Sequence, residues 1–209
     1  RVLGPRTEYI RYLHRPICRE LWALEPADAA KGNCSLAAVM KRNGREQRKI
    51  LMTCPFNAAT RTPEEAGGVP YDYGMLGGAA LAQADFARDQ MSLATADQNN
   101  AFTHVLAPLW WRAYQCAPRV RARELPANWT CGRFHPDQWL RPQYKRLAMG
   151  HVYAVMALSI INQLIVARVA SSWRRLGKLA FLNQPGAYQC GVAVTDEQSA
   201  LYVHVDDFA

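Results

Sequence analysis

The segment Tyr202-Val203-His204-Val205-Asp206-Asp207-Phe208-Ala209 decides how this chain is read, because an apolar strand pattern runs straight into two adjacent carboxylates. Asp is disfavoured in strands and neighbouring like charges repel, so a hydrophobic strand ending in Asp-Asp points to a cation held at its end. Side chains alternate across a strand, which puts Leu201, Val203 and Val205 on one face and Tyr202, His204 and Asp206 on the other. Asp206 is then expected to face a cleft. Asp207 falls on the apolar face unless the chain turns there, and an ordinary turn entry is the alternative account of the pair.

A second acidic strand end lies upstream, in Ser92-Leu93-Ala94-Thr95-Ala96-Asp97-Gln98-Asn99-Asn100-Ala101-Phe102. Two-metal phosphoryl transfer needs carboxylates from separate strands around a pair of ions about 3.5–4 Å apart. Asp97 and Asp206 would supply such a pair. Asp97 also reads as a helix N-cap, since Asp before Gln-Asn-Asn-Ala-Phe is a reasonable helix start.

Taken in order, these motifs resemble the reverse transcriptases of retroviruses and retrotransposons. In that family an Asp, three residues, then Ala and an aromatic mark one palm strand, and Asp-Asp after an apolar strand marks the next. Between them a Gln-Tyr-x-x-Leu-Pro-x-Gly segment opens a long helix. Here Gln143-Tyr144-Lys145-Arg146-Leu147-Ala148-Met149-Gly150 stands in that place. Upstream, the basic hairpin pattern Leu36 to Leu51, with its Asn43-Gly44 turn, runs on to Asn57 as the family's fingers segment does. The resemblance spans residues 34 to 209, and Ala148, Met149, Val155 and His204 depart from the usual pattern. The spacing from Asp97 to Asp206 is longer than in compact members, with insertions near Trp110 to Trp139 and Ser171 to Ser199.

The resemblance implies an α+β fold: the fingers and palm of a right-hand polymerase, with an antiparallel palm sheet backed by helices and truncated after the Asp-Asp strand. Residues 1–90 would form an N-terminal extension and fingers, and 91–107 the first part of the palm. Residues 108–149 would return to the fingers with an insertion, and 150–209 would be the second part of the palm, without its return strand. The implied activity is RNA-directed DNA synthesis, adding deoxynucleotides to a primer 3′-hydroxyl. Asp97, Asp206 and Asp207 would be catalytic, and with the Gln98 carbonyl would hold two Mg²⁺ ions, Mn²⁺ being a possible substitute. Lys41 and Arg48 would meet the incoming triphosphate, with Gln98, Phe102, Met149 and Gly150 also at the nucleotide. Phe102 would exclude a 2′-hydroxyl, whereas an RNA-dependent RNA polymerase usually carries a second acid in that stretch. Partners would be an RNA or DNA template with its primer and deoxynucleoside triphosphates. A catalytically inactive palm fragment that binds nucleic acid is the alternative from a different class, and an RNA-dependent RNA polymerase is the nearest enzyme.

Composition agrees with a polyanionic partner. The formal charge is +8, with arginines concentrated near the first residues, in Lys41 to Lys49 and from Arg112 to Arg146. The six cysteines show no Cys-x-x-Cys pair, so a reduced, intracellular protein in the cytoplasm or nucleus is expected over a disulfide framework. Cys116, Cys131 and His135 offer only three irregularly spaced zinc ligands. Arg1 to Leu24 alternates charges and aromatics and so does not read as a secretion signal; within it Thr7 to Leu24 suggests one or two short helices broken at Pro16. Ala59 to Tyr73 reads as a loop and Met75 to Gln90 as a helix. Val152 to Ala170 is apolar on nearly all sides but is interrupted by Ser159, Asn162, Gln163 and Arg168, which favours a buried helix over a membrane span. Trp110, Trp111, Trp129 and Trp139 lie among arginines, an arrangement suited to packing or to stacking on bases.

Overall fold

The computed structural model describes residues 4–42, 44–62, 65–66, 96–169, 171, 179–181, 199–201, 203–204 and 207–208; for Arg48, Asp97 and the strands after residue 178 it describes the backbone alone. The helix expected over Met75 to Gln90, Asp206 and most of the second insertion lie outside these residues. In chain order come α1 (Arg6–Leu13), α2 (Ile17–Leu21), β1 (Trp22–Pro26), β2 (Ser35–Met40), β3 (Gln47–Met52) and α3 (Cys54–Ala58). Next are β4 (Ala96–Asp97), α4 (Ala101–His104), α5 (Leu109–Arg112), β5 (Val120–Arg121), α6 (Ala127–Thr130) and β6 (Trp139–Tyr144). The long α7 (Ala154–Val169) precedes β7 (Leu179–Phe181), β8 (Ser199–Leu201), β9 (Val203–His204) and β10 (Asp207–Phe208). The chain is thus mixed α+β, built on small sheets. It divides into two compact units, one of Arg1–Arg61 with Phe102–Ala154, the other of Thr62–Ala101 with Val155–Ala209.

In the first unit, α1 stops at Leu13 and α2 begins at Ile17. The break follows from Pro16, which disfavours helical backbone at the residue before it. Glu8 in the first turn of α1 and Arg11 in its last complement the helix dipole and pair at 2.6 Å. A three-stranded antiparallel sheet of order β1-β6-β5 forms the centre, with Leu24 opposite Pro142 and Val120 opposite Leu140. Strand alternation sends Trp22, Leu24, Val120, Leu140 and Pro142 inward, where Tyr9, Leu13 and Cys18 are also buried. Full burial of each large apolar side chain is worth roughly 1.5–3 kcal/mol. Tyr9 ties α1 down by donating from its hydroxyl to the Pro118 carbonyl at 2.7 Å.

β2 and β3 form a separate antiparallel hairpin, Ser35 opposite Met52 through Met40 opposite Gln47. Gly44 takes φ +65° in its turn, a conformation that costs glycine little, and the Lys41 N–H to Glu46 carbonyl bond at 2.7 Å closes the loop. Gly32 packs its Cα against another backbone: a Cβ there would lie 2.4 Å from the Tyr114 carbonyl oxygen.

The second unit contains a three-stranded antiparallel sheet of order β4-β10-β9 and a parallel pair, β7 with β8. Thr62 and Glu65 exchange reciprocal hydrogen bonds, the Thr62 N–H to Glu65 Oε2 at 2.8 Å and the Glu65 N–H to Thr62 Oγ1 at 3.3 Å. In α7, Leu158 and Asn162 are buried one turn apart, while Val155, Leu164, Ile165 and Val169 are exposed. A helix covered on nearly all sides was expected; instead the buried residues, Ala154, Leu158, Ser159 and Asn162, all precede Gln163, and the described side chains from Leu164 onward are exposed. No helix among the described residues is long and apolar enough to cross a membrane.

Candidate active site

The acidic strands meet through their backbones. β10 pairs antiparallel with β4, placing Asp207 directly opposite Asp97 and Phe208 opposite Ala96. β10 also pairs with β9, Asp207 opposite His204. Asp207–Phe208 is thus a strand of its own, antiparallel to Val203–His204. Instead of landing on the apolar face of an uninterrupted strand, Asp207 opens the central strand of the sheet. Directly opposed residues in an antiparallel pair have Cα atoms about 4.5–5.5 Å apart, and like charges there are destabilising. Asp97 itself lies in a strand and not at a helix N-cap; α4 starts four residues later, after Asn100 at φ +55°.

Gln98, next to Asp97, is fixed from two sides. Its carbonyl accepts from the Ala101 N–H at 3.3 Å, and its Oε1 accepts from Asn162 Nδ2 at 3.1 Å. Asn162 is 2% exposed, so this amide is buried in the helix, as is Ser159 nearby. The carbonyl of Gln98 keeps a second lone pair available to a cation. Phe102 sits on α4 and is buried, with 7% exposure.

In the first unit, Lys41 pairs with Glu46 at 2.6 Å on the exposed hairpin tip, and Arg48 lies opposite Val39 on β3. An exposed pair of this kind contributes about 0–1 kcal/mol, so Glu46 holds Lys41 only weakly against a stronger anion. Lys145 donates to the Arg19 carbonyl at 2.9 Å, and burial together with the neighbouring Arg146 and Arg112 guanidiniums lowers its pKa.

The segment carrying Met149 and Gly150 is a turn clamped by α3. Asn57 donates from Nδ2 to the Gly150 carbonyl at 2.9 Å and accepts the Val152 N–H on Oδ1 at 3.2 Å. Gly150 takes φ +95°, which L side chains rarely adopt, while a Cβ there would meet nothing closer than Thr53 Oγ1 at 3.6 Å. Conformation, not crowding, therefore requires glycine at this position. Phe56, beside Asn57, stacks on Tyr114 at 5.2 Å and lies 4.0 Å from the His151 ring, which also packs 4.4 Å from Trp111. His151 is 3% exposed, and burial pushes its pKa down to about 4. Its Nδ1 accepts the Tyr153 N–H at 3.3 Å, which assigns the neutral ring's proton to Nε2. Fully buried Gln115 braces the strand before this turn, donating to the Tyr144 and Arg146 carbonyls at 3.1 and 3.0 Å.

Among the sequence-selected residues, the structure thus brings Asp97 and Asp207 into one sheet. Gln98 follows Asp97 in the same unit, while Lys41, Arg48, Phe102, Met149 and Gly150 belong to the other. Asp206 lies outside the described residues. Asn162, His151 and Gln115 were not selected, although an Asn inside an apolar helical run is a signal that the polar group has a buried partner. Cys116, Cys131 and His135 do not converge: among the described residues no group of three or more His, Cys, Asp or Glu is placed to hold a metal. Cys18, Cys34, Cys54, Cys116 and Cys131 are all free thiols. No protein-family model matches the chain, and no curated protein is significantly similar to it.

Proposed function

We propose that this chain is the fingers and palm of an RNA-directed DNA polymerase of retroelement type, working by two-metal nucleotidyl transfer. One observation carries the reading: Asp207 is the direct cross-strand partner of Asp97. Two acids opposed in a short sheet repel each other, and a shared divalent cation is the simplest compensation. Asp206 precedes Asp207 in sequence and would bring a third acid to the same place. This donor set, all carboxylate with the Gln98 carbonyl as a further oxygen, suits a hard cation such as Mg²⁺.

Asp97 and Asp206 would hold the two Mg²⁺ ions, with Asp207 adding negative charge and the Gln98 carbonyl a further ligand. Bound there, the ions supply activation of a primer 3′-hydroxyl and neutralisation of the triphosphate. Asn162 orients the Gln98 side chain and so fixes the backbone that carries this carbonyl. Lys41 and Arg48 would give cationic donors to the phosphates as pyrophosphate departs. The Gly150 turn, held by Asn57, would allow close backbone approach to the nascent pair. Phe102 would favour deoxynucleotides by excluding a 2′-hydroxyl.

The test has two arms. Electron paramagnetic resonance should count two Mn²⁺ ions bound per chain with a deoxynucleoside triphosphate present, and Asp97→Asn should remove at least one. Primer extension on an RNA template with Mg²⁺ should consume deoxynucleotides, stop with Asp206→Asn, and admit ribonucleotides with Phe102→Val. Mn²⁺ binding unaffected by Asp97→Asn would sink the two-metal reading. Nucleic-acid binding without extension would favour a scaffold, and ribonucleotide incorporation with Phe102 intact would favour an RNA polymerase.

A further inference from the structure

The outer face of the β1-β6-β5 sheet is basic and aromatic. Alternation sends Leu140 and Pro142 into the core, so Trp139 and Arg141 point outward, and Arg121 lies directly opposite Trp139 on the edge strand. Arg119, two residues before Arg121, shares that face and is exposed. The guanidinium carbons of Arg119 and Arg121 each lie 4.5 Å from the Trp139 ring centroid. Two carboxylates adjoin this face. Asp137 pairs with Arg123 at 2.7 Å and with Arg121 at 3.7 Å, and Glu25 stands opposite Arg141. Arg141 Nη1 is bound to the neutral Asn33 Oδ1 at 2.8 Å, and Arg119 makes no ion pair among the described residues. A third carboxylate, Glu124, accepts the Arg121 backbone N–H at 2.6 Å but is paired with Arg6 at 2.7 Å, so positive charge exceeds negative on this side of the sheet.

We propose that this sheet face, centred on Trp139, Arg119 and Arg121, binds single-stranded nucleic acid. Charge complementarity selects a polyanion, and the planar groups select one with unpaired bases. Guanidiniums held over an indole offer both a cation for phosphate and a flat surface on which a base stacks. The cation–π contacts also order these long side chains in advance, which lowers the entropic cost of binding. A paired duplex hides its base faces and gains only the phosphate contacts. The surface lies wholly within the first unit, so its binding does not depend on the reading of Asp97 and Asp207.

Fluorescence anisotropy of a labelled 12-nucleotide single-stranded RNA, with the full chain in EDTA so that no metal chemistry contributes, tests this directly. Trp139→Leu should weaken binding on the order of 5- to 100-fold, the range for losing one stacking platform, while Trp139→Tyr keeps it. Arg119→Gln with Arg121→Gln should lower the salt-dependence slope by about 1.4, roughly 0.7 for each single-strand phosphate left without its cation. The charge-matched control Arg11→Gln with Arg15→Gln should leave slope and affinity nearly unchanged. Circular dichroism melting confirms that each variant is folded, and rescue by Tyr separates a lost ring from a lost fold. Equal weakening by the control pair would overturn the proposal in favour of general charge attraction. Equal affinity for a duplex of the same sequence, or Trp139→Leu binding as tightly as wild type, would overturn it as well.

Discussion

Acidification from pH 7 to pH 5 should destabilise the protein through a single ring, His151. Burial among Phe56, Trp111 and Tyr153 holds its folded pKa near 4, against 6.5 for a free imidazole. Between those values the unfolded chain binds a proton that the folded chain refuses. A pKa lowered on folding in a base therefore gives stability that is complete above about pH 6.5 and falls as pH drops towards 4. At 1.36 kcal/mol per pH unit, the loss between pH 7 and pH 5 comes to about 2 kcal/mol, approaching about 3 kcal/mol near pH 4. Protonation would also place a hydrogen on Nδ1, turning its bond from the Tyr153 N–H into a donor facing a donor. The assay is urea unfolding of the wild type and His151→Phe at both pH values, comparing midpoints at constant m. The variant should start with a fixed offset of about 1 kcal/mol from the missing hydrogen bond and be flat across the window once other groups are subtracted. Wild type and variant losing stability in parallel, or a nuclear magnetic resonance titration of His151 centred near pH 6.5, would refute the burial argument.

Three further outcomes test the fold around the proposed site. Asp97→Asn should leave the metal-free protein as stable or up to about 1 kcal/mol more stable, by removing a cross-strand repulsion with Asp207, while Mn²⁺ affinity falls; calorimetry reads both effects. Asn57→Ala should cost about 1–3 kcal/mol in urea unfolding, because the Gly150 carbonyl and Val152 N–H lose a shared partner. Gly32→Ala should cost about 1–3 kcal/mol or prevent folding, since its methyl would sit 2.4 Å from a backbone oxygen that side-chain motion cannot clear.

Local chemistry made part of this structure legible before any coordinates. Pro16 divides α1 from α2, and Gly44 takes its left-handed backbone in the loop between β2 and β3, because proline and glycine act through the backbone of their own neighbours. The apolar run within Val152 to Ala170 announces a helix, and α7 lies there, whereas β6 was not expected from the sequence. The two acidic strand ends were visible as departures from strand propensity. Their partner was not. Asp206 was the natural choice for cross-strand proximity to Asp97, yet the backbone opposes Asp207 to it, because β10 lies between β4 and β9 in the sheet. A change of register by one residue moves a side chain to the other face, and no short-range signal sets it here.

The residues that hold the Gly150 turn depend on packing between segments far apart in the chain. Asn57 reaches Gly150 across 93 positions, and His151 takes its environment from Phe56 and Trp111. Gly32 is required because Tyr114 packs against its Cα, and the indole of Trp139 is matched with its arginines only once β5 pairs with β6. Sequence by itself determined the break at Pro16, the hairpin of β2 and β3, the helix within Val152 to Ala170 and which residues carry charge or apolar bulk, since those follow from each residue and its near neighbours. Tertiary structure alone decided which acid opposes Asp97, which histidine is buried and which arginines flank Trp139. Those outcomes belong to pairings between distant segments, whose free energy is shared over many side chains and written in no single stretch of the chain.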